Sequence, residues 1–510
     1  MRSFLLPIAA LTLAATLTAP AAAAPDDRIS LVRVDASPEQ VAALGLDAVD
    51  GTADVVLHGR ADAEHLRQKG FRWHTLVADL TADAARTRAA DAAYARSVAV
   101  STLPSGRTAY RAFADYDTDL DRLASTYPKA ARTFTLPHRT LENRTVRGLE
   151  ISHDVAASAH KPVLVVTGVH HAREWPSSEV TLEFAYDLLK NDGTDARVTG
   201  LLDQLRVVVV PMVNPDGFAI SRGLTYEMKR KNCRVRDGQL PGPGECAASA
   251  NRSYGVDPNR NYGAAWGDNG SSANRGSETY RGAGPFSEPE VTNVRDLVSG
   301  LQATALISNH TYGEVVLRPA GPEEDLYSAL GTRLSSANGY GSSALRVGGM
   351  TERWSYYATA GFGFTVEIGT GNFHPAFGPG VVDQYMGTGT RLGLRELYLR
   401  AAEAAADRTR HGVLTGSAPA GSTLRITKDF TLTTATGQPV PTHLESALTV
   451  PSGGRFTWDV NPSTRPAENG MLDESWTLTC APPGKPVAVT TKVLVRRGQQ
   501  VPVDLAACAA

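Results

Sequence analysis

Four short, almost uninterrupted apolar runs, at residues 162–169, 205–210, 303–308 and 363–368, constrain this chain more than any other feature. Each has the length of a strand, is rich in apolar residues, and lacks the alternation of a strand with one wet face. Strands of that kind are buried on both sides, which requires helices above and below a sheet. Residues 177–189 supply such a helix after the first run, with Val180, Phe184 and Leu188 on one stripe. Residues 108–405 alternate between these two patterns throughout. The expectation is an α/β unit with a mixed central sheet flanked by helices.

The pattern differs on either side of that span. From residue 412 to 510 the apolar residues fall at every second position: Phe456/Trp458/Val460, Trp476/Leu478/Cys480, Val487/Val489 and Val501/Val503/Leu505. With Gly and Pro punctuating them, they predict an antiparallel β-sandwich. Ahead of the central span, residues 29–34, 55–57 and 71–76 read as strands and 61–68 as a helix. Ser37-Pro38-Glu39-Gln40 opens a further helix, with Ser37 as cap and Gln40 closing a capping box. Residues 78–107 are rich in Ala, Arg and Asp and end in Pro104-Ser105-Gly106, so they read as an exposed connector with Arg86, Arg88 and Arg96 as processing points. A small α/β unit in this place suggests a pro-segment covering residues 25–107; an accessory domain is the alternative.

Residues 1–24 explain why a pro-segment would stand there. Met1-Arg2, an apolar stretch over 4–17 and small residues at 21–24 form the three parts of a secretory signal peptide. A secreted, extracellular protein can hold disulfides, and Cys233 with Cys246 and Cys480 with Cys508 are the expected pairs. A net charge of −2 over 510 residues argues against a general nucleic-acid or membrane-surface binder. After residue 24 no apolar run approaches the roughly 20 residues of a membrane span.

The chemistry-bearing residues gather where the apolar runs end. The first run leads into His170-His171-Ala172-Arg173-Glu174-Trp175, in which His171 and Glu174 are spaced to face one metal while His170 points elsewhere. His310, after the run at 303–308, is the natural third donor of a two-His, one-carboxylate zinc site. A lone H-x-x-E is a weak motif, so its company matters.

That company is His171-Ala172-Arg173-Glu174-Trp175, Asn214-Pro215-Asp216-Gly217-Phe218, Asp257-Pro258-Asn259-Arg260-Asn261, Ser277-Glu278-Thr279-Tyr280-Arg281-Gly282, His310-Thr311-Tyr312 and Phe364-Thr365-Val366-Glu367, in that order. Over about residues 108–405 the series resembles the zinc metallocarboxypeptidases of the carboxypeptidase A/B type. The resemblance implies one Zn²⁺ per chain on His171, Glu174 and His310, with Glu367 as general base and Arg230 steadying the oxyanion. It implies that Asn259 and Arg260 grip the α-carboxylate of a peptide or protein C-terminus, with Arg173 and Tyr312 as further substrate contacts. Glu352, two residues before Trp354, falls where the family places the floor of the pocket for the departing side chain, and an acid there goes with basic residues. Asn214-Pro215-Asp216-Gly217 reads as a structural turn. One position departs from the pattern: the family's mobile tyrosine falls on Leu345, and Tyr340 could replace it only through a rearranged loop. The expected function is therefore a secreted zinc exopeptidase releasing basic and some apolar residues. A cell-wall peptide or amino-acid-conjugate hydrolase of the same fold, or a non-catalytic peptide-binding module, are the alternatives. For the sandwich, structural support is the default expectation.

Overall fold

The four apolar runs become four neighbouring, mutually parallel strands, Phe362–Glu367, Ala303–His310, Val163–Thr167 and Arg206–Val210. They form the middle of an eight-stranded mixed sheet. Antiparallel Arg147–Ile151 and Ala131–Thr135 extend it on one side, and Val315–Pro319 and Gly341–Leu345 on the other. This is a computed structural model, and it describes residues 28–509; the expected signal peptide lies outside the described residues.

The helix after the first run extends further than its sequence stripe suggests, over Trp175–Asn191, and residues 175–189 are buried on every face. Its acidic residues explain how. Arg111, itself fully buried, donates to Glu179, Glu183 and Asp119, while Tyr116 bonds Ser178 and Glu179. Buried charges are tolerated when each has its partner. The polar face of this helix is therefore covered by the chain segment that enters the central unit.

Ahead of the sheet, Ser30–Val34, Asp47–Ala48, Asp54–Leu57 and Trp73–Val77 form a separate four-stranded antiparallel sheet with helices Pro38–Ala42 and Arg60–Gln68. The capping box at Ser37 and Gln40 is present. Most of the connector is helical: Leu80–Ser97 is an 18-residue helix, largely exposed and started by Asp79 accepting from the Thr81 and Ala82 N–H groups. Its Ala-rich composition favours helix, and Arg96 lies exposed in its last turn.

The C-terminal region packs a three-stranded sheet (Arg455–Val460, Gly412–Ser417, Gln500–Val503) against a four-stranded one (Pro439–Thr449, Thr423–Thr433, Trp476–Ala481, Val489–Val493). All pairings are antiparallel except Gly412–Ser417 with Gln500–Val503. Trp458, Trp476, Leu478, Leu424 and Ile426 fill the space between the sheets. Both expected disulfides are formed, with Cα–Cα separations of 5.3 Å for Cys233–Cys246 and 6.0 Å for Cys480–Cys508.

Candidate metal centre and substrate cleft

Parallel strands open a crevice at their carboxyl ends, and the sequence places its polar residues there. His310 ends the strand Ala303–His310, and Glu367 ends the neighbouring strand, paired in register with it. The next strand, Val163–Thr167, runs into His170 and His171, and Glu174 stands at the cap of the helix that follows. His171 Nδ1 lies 2.8 Å from Glu174 Oε1, His310 Nδ1 lies 3.0 Å from Glu174 Oε2, and the two Nδ1 atoms lie 3.1 Å apart. One ligand atom from each residue falls within 4.8 Å of the other two, and all three residues are buried. Two nitrogens and one carboxylate oxygen meeting in this way are the donor set of a catalytic zinc site.

The outer nitrogens are held as well. His171 Nε2 meets Asp257 Oδ1 at 3.1 Å, and His310 Nε2 meets the Ser308 hydroxyl at 3.1 Å. Such contacts fix ring orientation and leave the inner nitrogen free to coordinate. Burial alone would raise the Glu174 carboxyl, but His171 and His310 outweigh it and hold it below the ordinary carboxylate range. His170 points away as expected, with Nε2 2.8 Å from the Tyr262 hydroxyl.

The three cations of Lys229-Arg230-Lys231 separate cleanly. Arg230 faces the site, donating to Asp257 Oδ2 at 2.8 and 3.1 Å and lying 4.0 Å from Glu174. Lys229 turns back to the Arg252 and Tyr254 carbonyls, and Lys231 to those of Arg275 and Ser277. Burial pushes Lys229 down to about 7. Glu367 is buried and its carboxylate has no hydrogen-bond partner among the described residues. Burial, then the nearby Glu174 and Asp50 carboxylates, raise its pKa well above the usual value.

Arg260 donates from Nε to the Gly270 carbonyl at 2.7 Å and from Nη1 to the Asn259 carbonyl at 3.0 Å. Asn259 accepts the Thr351 N–H, while its own buried Nδ2 has no partner among the described residues. Glu352 is 1% exposed and accepts the Thr365 hydroxyl at 3.0 Å; it does not pair with Arg353, which turns to Asp268. Asn214 caps the helix Pro215–Arg222 by accepting the Gly217 N–H, a structural role as expected. Tyr340 is locked elsewhere: its hydroxyl donates to Gln384 and accepts from the Gly369 N–H.

The sequence suggested a pro-segment ahead of the central unit, but not which of its residues reach these side chains. Asp50 of the N-terminal unit accepts from Arg260 Nη2 at 2.6 Å and lies 4.0 Å from Arg230. Three residues earlier, Asp47 takes Arg173 bidentately at 2.7 Å for both bonds, and His58 braces it at 2.9 Å. Tyr312 donates to Asp54 at 2.9 Å. The only sequence signal was the pair of acids in Asp47-Ala48-Val49-Asp50, and nothing local says that both are buried. Asp257, which holds both His171 and Arg230, lay inside a motif but had no role assigned to it.

Comparison with known proteins gives the same reading of the fold. The profile of the zinc carboxypeptidase family (peptidase M14) matches residues 116–378. Rattus norvegicus carboxypeptidase A1 is 31% identical over 267 residues, covering 49% of this chain and 60% of the relative's length. Homo sapiens carboxypeptidase A1 is 30% identical over 321 residues, covering 59% of this chain and 72% of the relative. Among solved structures, the carboxypeptidase A of Helicoverpa armigera superposes with a TM-score of 0.58 at 21% identity, over 74% of this chain and 98% of that one. Thrombin activatable fibrinolysis inhibitor gives 0.55 at 18% identity, over 74% and 99%. The extent of the profile match and the identity to the human relative place this chain in the zinc carboxypeptidase family.

Proposed function

We propose that the chain is the secreted precursor of a carboxypeptidase that releases C-terminal residues from peptides, with one Zn²⁺ per chain on His171, Glu174 and His310. Its proposed parts are a signal peptide over 1–24, a pro-segment over 25–107, a catalytic domain over 108–405 and a sandwich over 412–510. A carboxylate of the chain itself lies on buried Arg260, beside the three ligand residues, and this observation carries the reading. The cleft thus already accommodates the group that distinguishes a peptide end from a peptide middle.

Zinc bound there would lower the pKa of water toward about 7 and polarise the scissile carbonyl. The chain's own groups do the rest. Departure of Asp50 and a cation on Glu174 would remove two of the charges that raise Glu367, so that its carboxylate at the adjacent strand end takes the proton from the attacking water and delivers it to the leaving amine. Arg230, fixed by Asp257, offers a guanidinium to the developing oxyanion. Arg260 and the unpartnered Asn259 Nδ2 take the substrate's α-carboxylate, a planar fork against a planar anion. Arg173 and Tyr312 contact the chain upstream, and Glu352 favours a basic departing side chain. In the intact chain Asp50 and Asp47 hold Arg260 and Arg173, so residues 25–107 keep the enzyme latent until cleavage near Arg96.

Metal analysis combined with peptide release by the nicked protein, with and without chelator, tests this. His310→Ala is expected to lose zinc and activity together, because two ligands do not make the site. Glu367→Gln is expected to keep zinc and lose at least about a hundredfold in kcat, within the range for a lost general base. Stoichiometric zinc in the first variant, or full turnover in the second, overturns the assignment.

A further inference from the structure

We propose that the tip of the C-terminal hairpin, through the Ala435 N–H, is a positioning element for Arg260, so that the sandwich sets how tightly a substrate carboxylate is held. This rests on the carboxypeptidase reading above and adds a role for a region that the family match at residues 116–378 does not reach.

Once Asp50 has left, the hydrogen bonds remaining to the Arg260 guanidinium among the described residues are those to the Gly270 and Asn259 carbonyls. Where the guanidinium points therefore depends on the loop 263–270. That loop is not a relaxed one. Ala265 sits at φ 51°, the left-handed region that residues with a Cβ avoid. Such a conformation persists only where the surroundings fix it. Three clamps do so. The Gly349 N–H donates to the Ala264 carbonyl and the Gly348 N–H to the Asn269 carbonyl, both from inside the central unit. The third comes from outside it: the Ala435 N–H donates to the Trp266 carbonyl at 3.0 Å.

The tip that carries this N–H is itself seated firmly. The strands Thr423–Thr433 and Pro439–Thr449 form the long hairpin of the sandwich. At its end Leu432 and Val440 leave the sandwich core and join the apolar cluster of Tyr262, Ala264, Val294 and Trp354. Thr436 leaves no room beside Gly267, since a Cβ there would lie 2.6 Å from Thr436 Cγ2. Val440 lies beside Gly263, where a Cβ would stand 3.3 Å from Val440 Cγ1 and 2.7 Å from Phe286 Cε2. The tip thus touches the loop at Gly263, Trp266 and Gly267, immediately after Asn259 and Arg260.

The test uses the full secreted chain after nicking near Arg96. Ala435→Pro removes the N–H, Ala435→Ser keeps it, and Thr436→Ala loosens the Gly267 contact without touching the backbone. Each is assayed for kcat and KM on a peptide with a free C-terminal carboxylate and on its C-terminal amide. Ala435→Pro is expected to raise KM for the free acid five- to twentyfold with kcat within twofold, and to shrink the preference for acid over amide. Thr436→Ala is expected to do the same two- to fourfold, and Ala435→Ser to retain the parent KM. Unchanged KM in both folded variants overturns the proposal, as does a fall in kcat at constant KM, which a purely structural role would give. If Ala435→Pro does not fold, Thr436→Ala decides alone. A parent that binds zinc yet never prefers acid over amide refutes the carboxypeptidase reading itself, and this inference falls with it.

Discussion

The two regions flanking the central sheet are attached to it by different chemistry. The N-terminal unit meets it through an apolar patch, Leu31, Val49, Val56 and Leu80 on Met228, Tyr312 and Phe373, with Tyr94 against Phe377 and Ala42 against the cluster of Val315 and Leu317 beside it, and through paired charges. Those charges are Asp47 with Arg173, Asp50 with Arg260 and Arg88 with Glu227. The C-terminal region instead sends Leu432 and Val440 into the apolar cluster of the central unit, where they share contacts with Tyr262 and Trp354. A charge pair gives back most of its energy when water and a new partner replace the old one. Buried apolar surface has no such substitute. The first attachment can thus be exchanged for a substrate, whereas the second is part of one core.

The largest effect expected from this contrast is on stability. Leu432→Ala combined with Val440→Ala should destabilise the whole chain by about 3–6 kcal/mol, the range for emptied core positions. Urea unfolding should show one transition shifted for the sandwich and the central sheet together. Two separate transitions, with only the sandwich affected, would break the contrast. Cutting near Arg96 should leave the unfolding of residues 108–509 almost unchanged.

Next in size is the effect of Asp50→Asn on the uncut chain. It removes the carboxylate from Arg260 and leaves His171, Glu174 and His310 alone. A charge-assisted bond is worth about 1.5–3 kcal/mol, so basal peptide release should rise roughly ten- to a hundredfold. Equal activity in parent and variant would mean that the N-terminal unit does not block the cleft through this contact.

How much of this was legible in the sequence follows from where each signal resides. The central strands and the metal trio were readable because a buried strand must be apolar along its length and its end must change abruptly, as at His171 and His310. Glu367 stood out as a lone acid ending such a run. The hairpin of Thr423–Thr433 and Pro439–Thr449 was not readable. Lys428 interrupts the apolar inward positions of the first strand, and Pro439 and Pro441 disguise the second as a loop. Asp47 and Asp50 were hidden for another reason: their partners Arg173 and Arg260 lie more than a hundred residues away, and an ion pair leaves no local periodicity. The burial of Glu179 and Glu183 was invisible likewise, since Arg111 closes over them from a separate segment.

The smallest expected effect links the departure of the N-terminal unit to selectivity. Burial pushes the Glu352 carboxyl up to about 7, with Asp50 adding to the rise and Arg260 opposing it. A neutral carboxyl gives a cationic side chain no charge partner, while an ionised one does. The preference for a C-terminal Arg over Phe, as a ratio of kcat/KM in nicked protein, should therefore climb between pH 6 and pH 8, by up to about tenfold. Loss of Asp50 from the cleft removes a repulsive charge, so the midpoint should lie below that of an uncut Asp50-containing chain assayed for its residual activity. The same shift has a sign for stability: a carboxyl raised on folding stabilises fully below its ordinary value near 4.5 and loses that contribution as pH rises through about 7. Glu352→Gln should then gain in thermal stability over the parent at pH 8 and not at pH 5, and its Arg-to-Phe ratio should be flat with pH. A parent ratio already flat over that range, or a variant that keeps the slope, would place the specificity determinant elsewhere in the pocket.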